Sequence, residues 1–587
     1  MKTNKLLKAR NILFLLGALF LTNCTKLNEA VLDEVLGAEA SSPAGALAAA
    51  YDRLGKGTFV DHGAVFSLQE YTTDEALLPT RGSDWGDGGK WRSMHEFTWA
   101  PDNAIVTDNW NMLTNGITRS LNAIKAITNS TDPQRELLLA ESKALLAFYT
   151  YTTLDLFGQA PYRDPAIENG PLEIKQAAPA IDELILQVEA LIPALATLGE
   201  KSTHNGRFTK EAAYGLLANM YLNRAVFKNR YAATFNFLEK SVNGNETDMD
   251  KVIYYTSLLI NSGKFQLASN YFDNFSINNS GGKELIFVVT QKIDYIRNGS
   301  NSFAYVSVER NQRPSPENRG TNAACISPEF YASWEGNHDD PRFSRKYQYA
   351  DGTWFMNNAT GSVPAKDIVP NSKKNLPWFH FNRGLMAGPQ YGPILTASGG
   401  FEMTPEGRIK VSELFMEKST GTRMDFTPEL NFNDPTQAVF AQNQINRGVR
   451  VFKYEFDPEE GNGSSNVDIP LFRLGAIYTM RAEAYLRSGQ SGPALDDINK
   501  LRTSRRREAL YENAAGVPIT SMNEAILYKE IAFETYWELL RRPQMIRFGK
   551  YELPFSAKPV SQPFRRIFPI PQTTLDVTKE FRQNMGY

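Results

Sequence analysis

The sequence has little of what marks disulfide-stapled, nucleic-acid-binding or membrane-spanning proteins. Its 587 residues include only 2 cysteines, which excludes a disulfide framework. The formal net charge is −2, from 63 basic and 65 acidic side chains, so no excess charge attracts nucleic acid or an acidic polymer. Beyond the N-terminal segment, no apolar run reaches the roughly 20 residues that cross a bilayer. The composition therefore indicates a globular chain with no nucleic-acid partner.

The chain also lacks the motifs of common enzyme and metal sites. Its 5 histidines form no HExxH helix and no close pair. It has no nucleophile elbow, phosphate-binding loop or dinucleotide fingerprint, and Asp84/Asp87 and Asp339/Asp340 do not follow EF-hand spacing. We therefore predict a protein that is not an enzyme and has no metal or cofactor. A surface glycoside hydrolase stays open as the alternative, since 65 acidic residues suffice to supply its two carboxylates.

What the chain does have at its N-terminus is a secretory signal. Four basic side chains between residues 2 and 10 precede the apolar stretch 12–21, which is too short to span a membrane. It leads into Leu21-Thr22-Asn23-Cys24, which looks like the site where a signal peptidase cuts before a lipid-modified cysteine. We therefore expect lipidation at Cys24, a membrane anchor without a membrane span, and Cys325 as a lone buried thiol. An ordinary secretory signal with an incidental cysteine is the alternative.

Helical patterns dominate most of the chain outside one long segment. Asp132-Pro133 is a typical helix start and Gly158 a typical stop, and Thr209 opens an amphipathic stripe. Around Ser262-Gly263 and Ser488-Gly489, a helix, a glycine turn and a second helix containing alanine resemble a tetratricopeptide unit. These patterns predict a mainly α fold with a tetratricopeptide-like helical scaffold.

A long insertion divides that scaffold. It opens with the strand-like run 285–289, is rich in Gly, Asn, Pro and Ser, and has little helical periodicity, so we expect loops and short strands. Helices that hold loops still are a common arrangement for binding. The predicted division is a signal peptide at 1–23, a lipidated N-terminus and tether at 24–45, an N-terminal helical part at 46–284, a variable loop-rich insertion at 285–468 and a C-terminal helical part at 469–587.

The best candidate for ligand contact is the glycine-rich segment 81–92. Four glycines deny it regular structure, so we expect an exposed loop that carries Trp85 and Trp91 in water. Flat rings stack on the apolar faces of sugars, and charged neighbours bind the hydroxyls. The predicted platforms are Trp85 and Trp91, and their predicted polar partners are Arg81, Asp84, Asp87 and Arg92. The alternative is that one tryptophan packs under the loop and the other is incidental.

Five further segments, in chain order, carry a resemblance to a known family. They are Ala140–Gly158, Gly206–Lys210, Asp468–Arg473 with Arg481–Ala484, Ile526–Glu534 and Phe568–Tyr587, with Met585 where proline is commoner. Behind the lipidation motif, this order resembles the SusD/RagB family of outer-membrane nutrient-binding lipoproteins. Glu141, Glu483 and Glu530 lie within these segments on amphipathic helices, where we expect them to pair with basic neighbours.

The resemblance implies a function. It implies a lipid-anchored protein of the outer membrane, facing the exterior, that captures oligosaccharide and delivers it to a TonB-dependent transporter as a lid on its barrel. Some relatives handle peptides, so a peptide-binding member is the alternative; a purely structural scaffold that docks proteins is another. A tetratricopeptide scaffold alone would not need the glycine-flanked tryptophans.

The insertion offers further candidates. The family often places ligand contacts after the first strand of this region, which here points to Tyr295, Asn298 and Tyr305. Trp354 and Trp378 are predicted exposed aromatics, although any folded insertion also needs aromatics for its own small core. Trp99 and Trp110, in more regular surroundings, are expected to be core residues.

Overall fold

The computed structural model describes residues 42–587 except 83, 278, 295–301, 350, 356–359, 368–373, 431–438, 441–444, 507–515 and 557. The predicted signal peptide, Cys24 and most of the tether lie outside these residues, as do Tyr295 and Asn298. For Trp354 the description is confined to the backbone. In the part of the chain described, no helix is long and apolar enough to cross a membrane.

The described residues form 14 α-helices, and the prediction of a mainly α fold is confirmed. The helices are α1 (Pro43–Asp52), α2 (Val65–Gln69), α3 (Arg92–Glu96), α4 (Ala104–Thr128), α5 (Arg135–Phe157), α6 (Ala177–Leu191), α7 (Lys210–Lys228), α8 (Asp248–Ile260), α9 (Pro328–Ser333), α10 (Leu474–Arg487), α11 (Ser491–Ser504), α12 (Glu524–Thr535), α13 (Arg541–Arg547) and α14 (Gln572–Val577).

Local signals set several helix ends as predicted. Gly158 ends α5 in a left-handed conformation with φ of 70°, which glycine adopts without a steric penalty. At the start of α7, the Thr209 hydroxyl accepts a hydrogen bond from the Ala212 amide at 3.3 Å. The caps explain why these boundaries can be found in the sequence.

Helix packing joins the two ends of the chain into one scaffold. Helix α4 packs on α5, and a Cβ at Gly116 would lie 2.5 Å from the Tyr149 ring, so glycine permits the close approach. Helices α6, α7 and α8 pack in succession, and α8 contacts α10, which packs on α11 and α12. The α8–α10 contact therefore continues the helical scaffold across the insertion.

One of the two predicted helix–turn–helix units is wrong. After α8 and Gly263, Ala268 lies outside any helix, and the next element is a short 3-10 helix at Tyr271–Phe275. The Ala268 amide donates to Glu284 Oε2 at 2.7 Å, and its carbonyl accepts from Arg505 Nη1 at 2.8 Å. Because buried charged side chains hold both backbone groups, this segment does not need helical hydrogen bonds.

Short strands occupy much of the insertion, as expected. The described strands are β1 (Thr80–Arg81), β2 (Gln159–Tyr162), β3 (Glu173–Gln176), β4 (Leu285–Val289), β5 (Ser344–Arg345), β6 (Tyr347–Gln348), β7 (Trp354–Phe355), β8 (Gly361–Pro364), β9 (Lys366–Asp367), β10 (Pro377–Trp378), β11 (Arg383–Met386), β12 (Gly388–Pro389), β13 (Tyr391–Pro393), β14 (Arg408–Glu413), β15 (Asp425–Phe426), β16 (Val439–Phe440), β17 (Arg450–Phe452) and β18 (Ile469–Arg473). Strands β4 and β18 pair antiparallel, which brings the two ends of the insertion together. The five-part division of the chain stays a prediction.

A network of buried ion pairs lies where the insertion meets the C-terminal helices. We call it the buried network; it joins five cations and five carboxylates, each side chain at most 5% exposed. Its members are Arg342, Lys453, Arg473, Arg502, Arg505, Glu284, Asp340, Glu530, Glu534 and Glu538. Burial alone would raise the pKa of the Glu534 carboxyl, but Arg505, Arg473 and Arg342 lower it below its usual value.

Cys325 is buried, as predicted, and carries a free thiol. Its backbone pairs with Leu77 through two hydrogen bonds of 2.7 and 2.9 Å. A Cβ at Gly448 would lie 2.6 Å from the Cys325 sulfur, so a close backbone approach covers the thiol from another side. Trp99 and Trp110 are also buried, which confirms their assignment to the core.

Candidate functional site

Segment 81–92 folds onto the core rather than standing out as an exposed loop, so that part of the prediction is wrong. It contains a 3-10 helix at Asp87–Gly89 and leads directly into α3. Trp85 and Asp87 have left-handed φ angles of 59° and 38°, and Gly88 follows at 67°. The left-handed residues turn the chain tightly back, and the glycine makes that turn sterically accessible.

Trp91 is not an exposed platform. Its side chain is 6% exposed, and its ring contacts His62, with centroids 5.2 Å apart. The indole nitrogen donates to Asp87 Oδ2 at 2.6 Å. Asp87, which was predicted to bind sugar hydroxyls, thus accepts the hydrogen bond that the buried Trp91 indole needs. The alternative interpretation, one tryptophan packed under the segment, describes Trp91.

Arg81 and Trp378 are also buried, against prediction. The Arg81 guanidinium is fully covered and donates to three backbone carbonyls, those of Ala323, Ile445 and Arg447, at 2.8–3.2 Å. It therefore joins the insertion to the scaffold rather than facing solvent. Trp378, 2% exposed, lies on β10 paired with β9, where it belongs to the insertion's own core.

Trp85 keeps a partly exposed ring in a fixed position. Its indole nitrogen donates to the Thr321 carbonyl at 3.0 Å, and its ring meets His62 edge-on, with centroids 5.5 Å apart. The Thr321 amide in turn donates to the Tyr305 carbonyl at 3.0 Å. Thr321 thus brings two predicted contact residues, Trp85 and half-buried Tyr305, to one place although 220 residues separate them.

A group of charged side chains beside Trp85 was not predicted from the sequence. Asp84, predicted on an exposed loop, is instead 9% exposed and forms ion pairs with Arg310 at 2.9 Å and with Lys418 at 2.5 Å. Glu417 lies within 2.9–3.9 Å of three guanidiniums, and we name these four cations and two carboxylates the surface network. It consists of Asp84, Arg310, Arg313, Arg319, Glu417 and Lys418. The sequence did carry one signal for this group: segment 310–319, which also contains Pro and Asn, has three arginines in ten residues.

Phe415 is a second aromatic that sequence analysis missed. Its side chain is 44% exposed, and its carbonyl accepts a hydrogen bond from Asn311 Nδ2 at 2.8 Å. This hydrogen bond joins segments 310–319 and 415–418, two of the three segments that supply the surface network. We call Trp85, Phe415 and the surface network together the Trp85 surface; it combines apolar ring faces with charged donors and acceptors, the chemistry that sugar recognition requires.

The other predicted residues are placed as follows. Asp87 is exposed although it accepts from Trp91, and half-exposed Arg92 pairs with Glu96 at 3.3 Å. Trp354 lies on β7, paired with β6. The three glutamates singled out in the family segments pair with arginine, as expected: Glu141 with Arg207, Glu483 with Arg547 and Glu530 with Arg502.

A cavity on the scaffold lies apart from the Trp85 surface. It has a volume of about 760 Å³ and lies beside α1, lined by residues such as Leu47, Tyr51 and Arg207. Among the residues with described side chains, none of the predicted contacts lines it. As for metals, no group of three or more His, Cys, Asp or Glu side chains within the described ranges is arranged to hold an ion.

A mainly α scaffold that holds a half-buried tryptophan beside the surface network is the arrangement of a binding protein. The family is shown by a direct match: the SusD family model covers residues 261–587, and the chain belongs to this family. The resemblance stated from the sequence is therefore confirmed.

Similar proteins share nearly the whole fold. The starch-binding protein SusD of Bacteroides thetaiotaomicron is 24% identical, over 89% of this chain and 85% of its own. A laminarin-binding SusD-like protein superposes with a TM-score of 0.61 at 17% identity, over 93% of this chain and 99% of its own. A surface glycan-binding protein A from Bacteroides thetaiotaomicron, solved with laminarihexaose, gives 0.60 at 17% identity, over 92% and 98%. At these identities the structures establish the fold.

Proposed function

We propose that this protein is a lipid-anchored protein of the outer membrane, facing the exterior, that captures oligosaccharide at the Trp85 surface and delivers it to a TonB-dependent transporter. Membership in the SusD family supports the proposal, as do three similar proteins whose names describe binding of starch, laminarin or surface glycan. The signal and lipidation motif at Cys24 supports the anchor.

The single observation that carries the proposal is the state of Trp85. Most tryptophans with described side chains are buried, whereas Trp85 presents part of its ring while its indole nitrogen is bonded to Thr321. A ring fixed before binding loses little conformational entropy when a sugar stacks on it. Exposed Asp87, two residues from Trp85 in the chain, is the proposed acceptor for sugar hydroxyls, whereas buried Asp84 is held in its ion pairs.

The remaining proposed contacts extend this surface. Tyr305 adjoins Trp85 through Thr321. Tyr295 and Asn298 stay proposed contacts because they precede Tyr305 by ten residues or fewer in the chain, and Arg92 and Trp354 also stay proposed contacts. The helical parts at 46–284 and 469–587 are proposed to act as the rigid support and the insertion at 285–468 as the variable binding region.

We propose capture without catalysis. The two carboxylates of the Trp85 surface, Asp84 and Glu417, both contact Arg310. Both are thus engaged in ion pairs, an arrangement that suits binding rather than the acid and nucleophile of a glycoside hydrolase.

The first test is glycan binding by the chain from residue 25 onward, with Trp85→Ala compared with Tyr162→Ala. Tyr162 is a matched control, because it is also a half-exposed aromatic, and Lys175 lies 5.1 Å from its ring centre. We expect micromolar or weaker binding to a glycan, as about −8 kcal/mol corresponds to 1 μM. Loss of one stacked sugar should cost about 1–2 kcal/mol, roughly a tenfold weaker affinity in titration calorimetry.

The outcomes separate the candidate functions. Glycan binding that Trp85→Ala weakens and Tyr162→Ala leaves unchanged supports the proposal. Binding confined to peptides would replace it with the peptide-handling alternative. Release of reducing ends from the glycan would show catalysis and contradict the non-enzymatic part. Equal melting temperatures of the variants would show that the fold is retained.

A further inference from the structure

We infer that the Trp85 surface selects acidic glycans, in which sugar rings carry carboxylate or sulfate groups. The inference rests on the proposed function and specifies its substrate class. It begins from the charges of the surface network, where four cations face two carboxylates. The excess is local, since the whole chain has a formal net charge of −2.

A third carboxylate does not balance the network. Glu309 lies beneath it and is 1% exposed, and its two oxygens accept hydrogen bonds from the backbone amides of Asn311 and Glu417 at 2.6 and 3.0 Å. Burial raises the pKa of the Glu309 carboxyl, although the two amide donors act in the opposite direction. Even with Glu309 ionised, the cations outnumber the carboxylates by one.

The two most exposed members of the network are cations. The side chains of Lys418 and Arg319 are 46% and 43% exposed, whereas those of Asp84 and Glu417 are 11% and 29% exposed. Arg310 and Arg313 are only 11% and 14% exposed. Lys418 and Arg319 therefore form the exposed edge of the network, and the most exposed charges that an incoming ligand meets are cations. Burial and the neighbouring Arg319 lower the pKa of Arg313, as expected where like charges are crowded.

The cations stand next to the proposed sugar platform. Asp84, which precedes Trp85, contacts Arg310 and Lys418, and Arg319 lies two residues from Thr321, which holds the indole nitrogen. One sugar ring on Trp85 would thus place its acidic group near a guanidinium or ammonium. A guanidinium binds carboxylate or sulfate through two parallel hydrogen bonds, a geometry that neutral hydroxyls do not match.

The test uses matched pairs of glycans with the chain from residue 25 onward. One pair is oligogalacturonate and its fully methyl-esterified form; the other is ι-carrageenan and its desulfated form. Starch and laminarin serve as neutral references. The first pair probes carboxylate and the second probes sulfate, so the pairs distinguish the two sources of negative charge.

The variants target the exposed cations. Arg319→Gln with Lys418→Gln should weaken binding of the acidic member about tenfold or more at low salt. Glu417→Gln should strengthen it, since one repelling carboxylate is removed. The matched control is Lys579→Gln with Arg582→Gln, which removes one exposed lysine and one exposed arginine from the C-terminal segment.

The results separate this inference from the proposed function. Preference for an acidic member, lost with raised salt and in the Arg319/Lys418 variant but not in the control, supports it. Equal binding of both members of a pair, or binding to starch or laminarin alone, overturns the acidic selectivity and leaves glycan capture standing. No binding to any of these glycans contradicts both.

Discussion

The molecule contains two ion-pair networks that use the same residue types in opposite ways. The buried network balances five cations against five carboxylates, all nearly free of solvent contact. The surface network, by contrast, has four cations for two carboxylates, and its cations reach 46% exposure. The buried network is formally neutral and shielded from solvent, whereas the surface network has excess positive charge and is partly exposed.

The difference follows from the cost of desolvation. A charge withdrawn from water costs several kcal/mol unless a partner and hydrogen bonds compensate it, so a buried network must be neutral. At the surface, water and salt screen an excess, and its stability cost stays small. An unbalanced network at a surface therefore remains available to bind an ion of opposite charge, whereas a balanced buried one serves the fold.

The largest loss of stability is expected when a carboxylate of the buried network is neutralised. Glu534 contacts Arg342, Arg473 and Arg505, so Glu534→Gln leaves three buried guanidiniums short of negative charge. We expect the free energy of unfolding to fall by about 3–5 kcal/mol. Urea denaturation followed by circular dichroism measures it, with Glu417→Gln from the surface network as the matched control, expected to change stability by less than about 1 kcal/mol.

An equal loss in both glutamate variants would contradict the distinction between the networks. If Glu534→Gln does not yield folded protein, Glu530→Gln provides a second measurement. Glu530 pairs with two arginines, Arg342 and Arg502, rather than three, so its substitution disturbs the same network less severely.

Acid probes a buried histidine that lies outside the buried network. Burial and the nearby Arg92 lower the pKa of His95 to about 3 from its usual 6.5. Because the folded-state pKa is lowered, the stability contribution is present above pH 6.5 and is lost as pH falls toward 3. Between pH 6.5 and 4 we expect a loss of about 3 kcal/mol, at about 1.4 kcal/mol per pH unit.

The check is urea denaturation at several pH values, comparing His95→Gln with His338→Gln. His338 is exposed and stacks on Phe343, so its removal should leave the pH dependence as in the parent chain. His95→Gln should flatten it above pH 4.5. Identical slopes in all three proteins would contradict the assignment to His95.

The smallest effect is expected at the exposed edge of the surface network. Arg319 is 43% exposed and pairs with Glu417 at 2.9 Å, so Arg319→Gln should change the free energy of unfolding by less than about 0.5 kcal/mol. Thermal and urea denaturation measure it at low and high salt. A loss above about 2 kcal/mol would mean that the surface network supports the fold, contrary to its proposed role in binding.

Sequence reasoning succeeded where the determining contacts are local. The stop at Gly158 and the cap at Thr209 each depend on residues within one helical turn. Trp99 and Trp110 were assigned to the core from their more regular sequence surroundings, and both are buried. The family resemblance added the order of the segments, and the family is confirmed by the match to residues 261–587.

Sequence reasoning failed where the partners are distant. Arg81 was expected in solvent, but its acceptor at Ala323 lies 242 residues away. Trp91 and Trp378 look exposed in glycine- or proline-rich sequence, yet long-range packing buries both. The same limitation hid Phe415 and the surface network, because segments 81–92, 310–319 and 415–418 meet only in the folded chain.

The buried thiol of Cys325 makes local opening of the fold measurable by its reaction with a thiol reagent. In the chain from residue 25 onward it is the single cysteine, with its backbone tied to Leu77 and Gly448 packed against the thiol. A thiol reagent can therefore react only in moments when these neighbours separate. The rate of the reaction therefore reports how often this part of the fold opens.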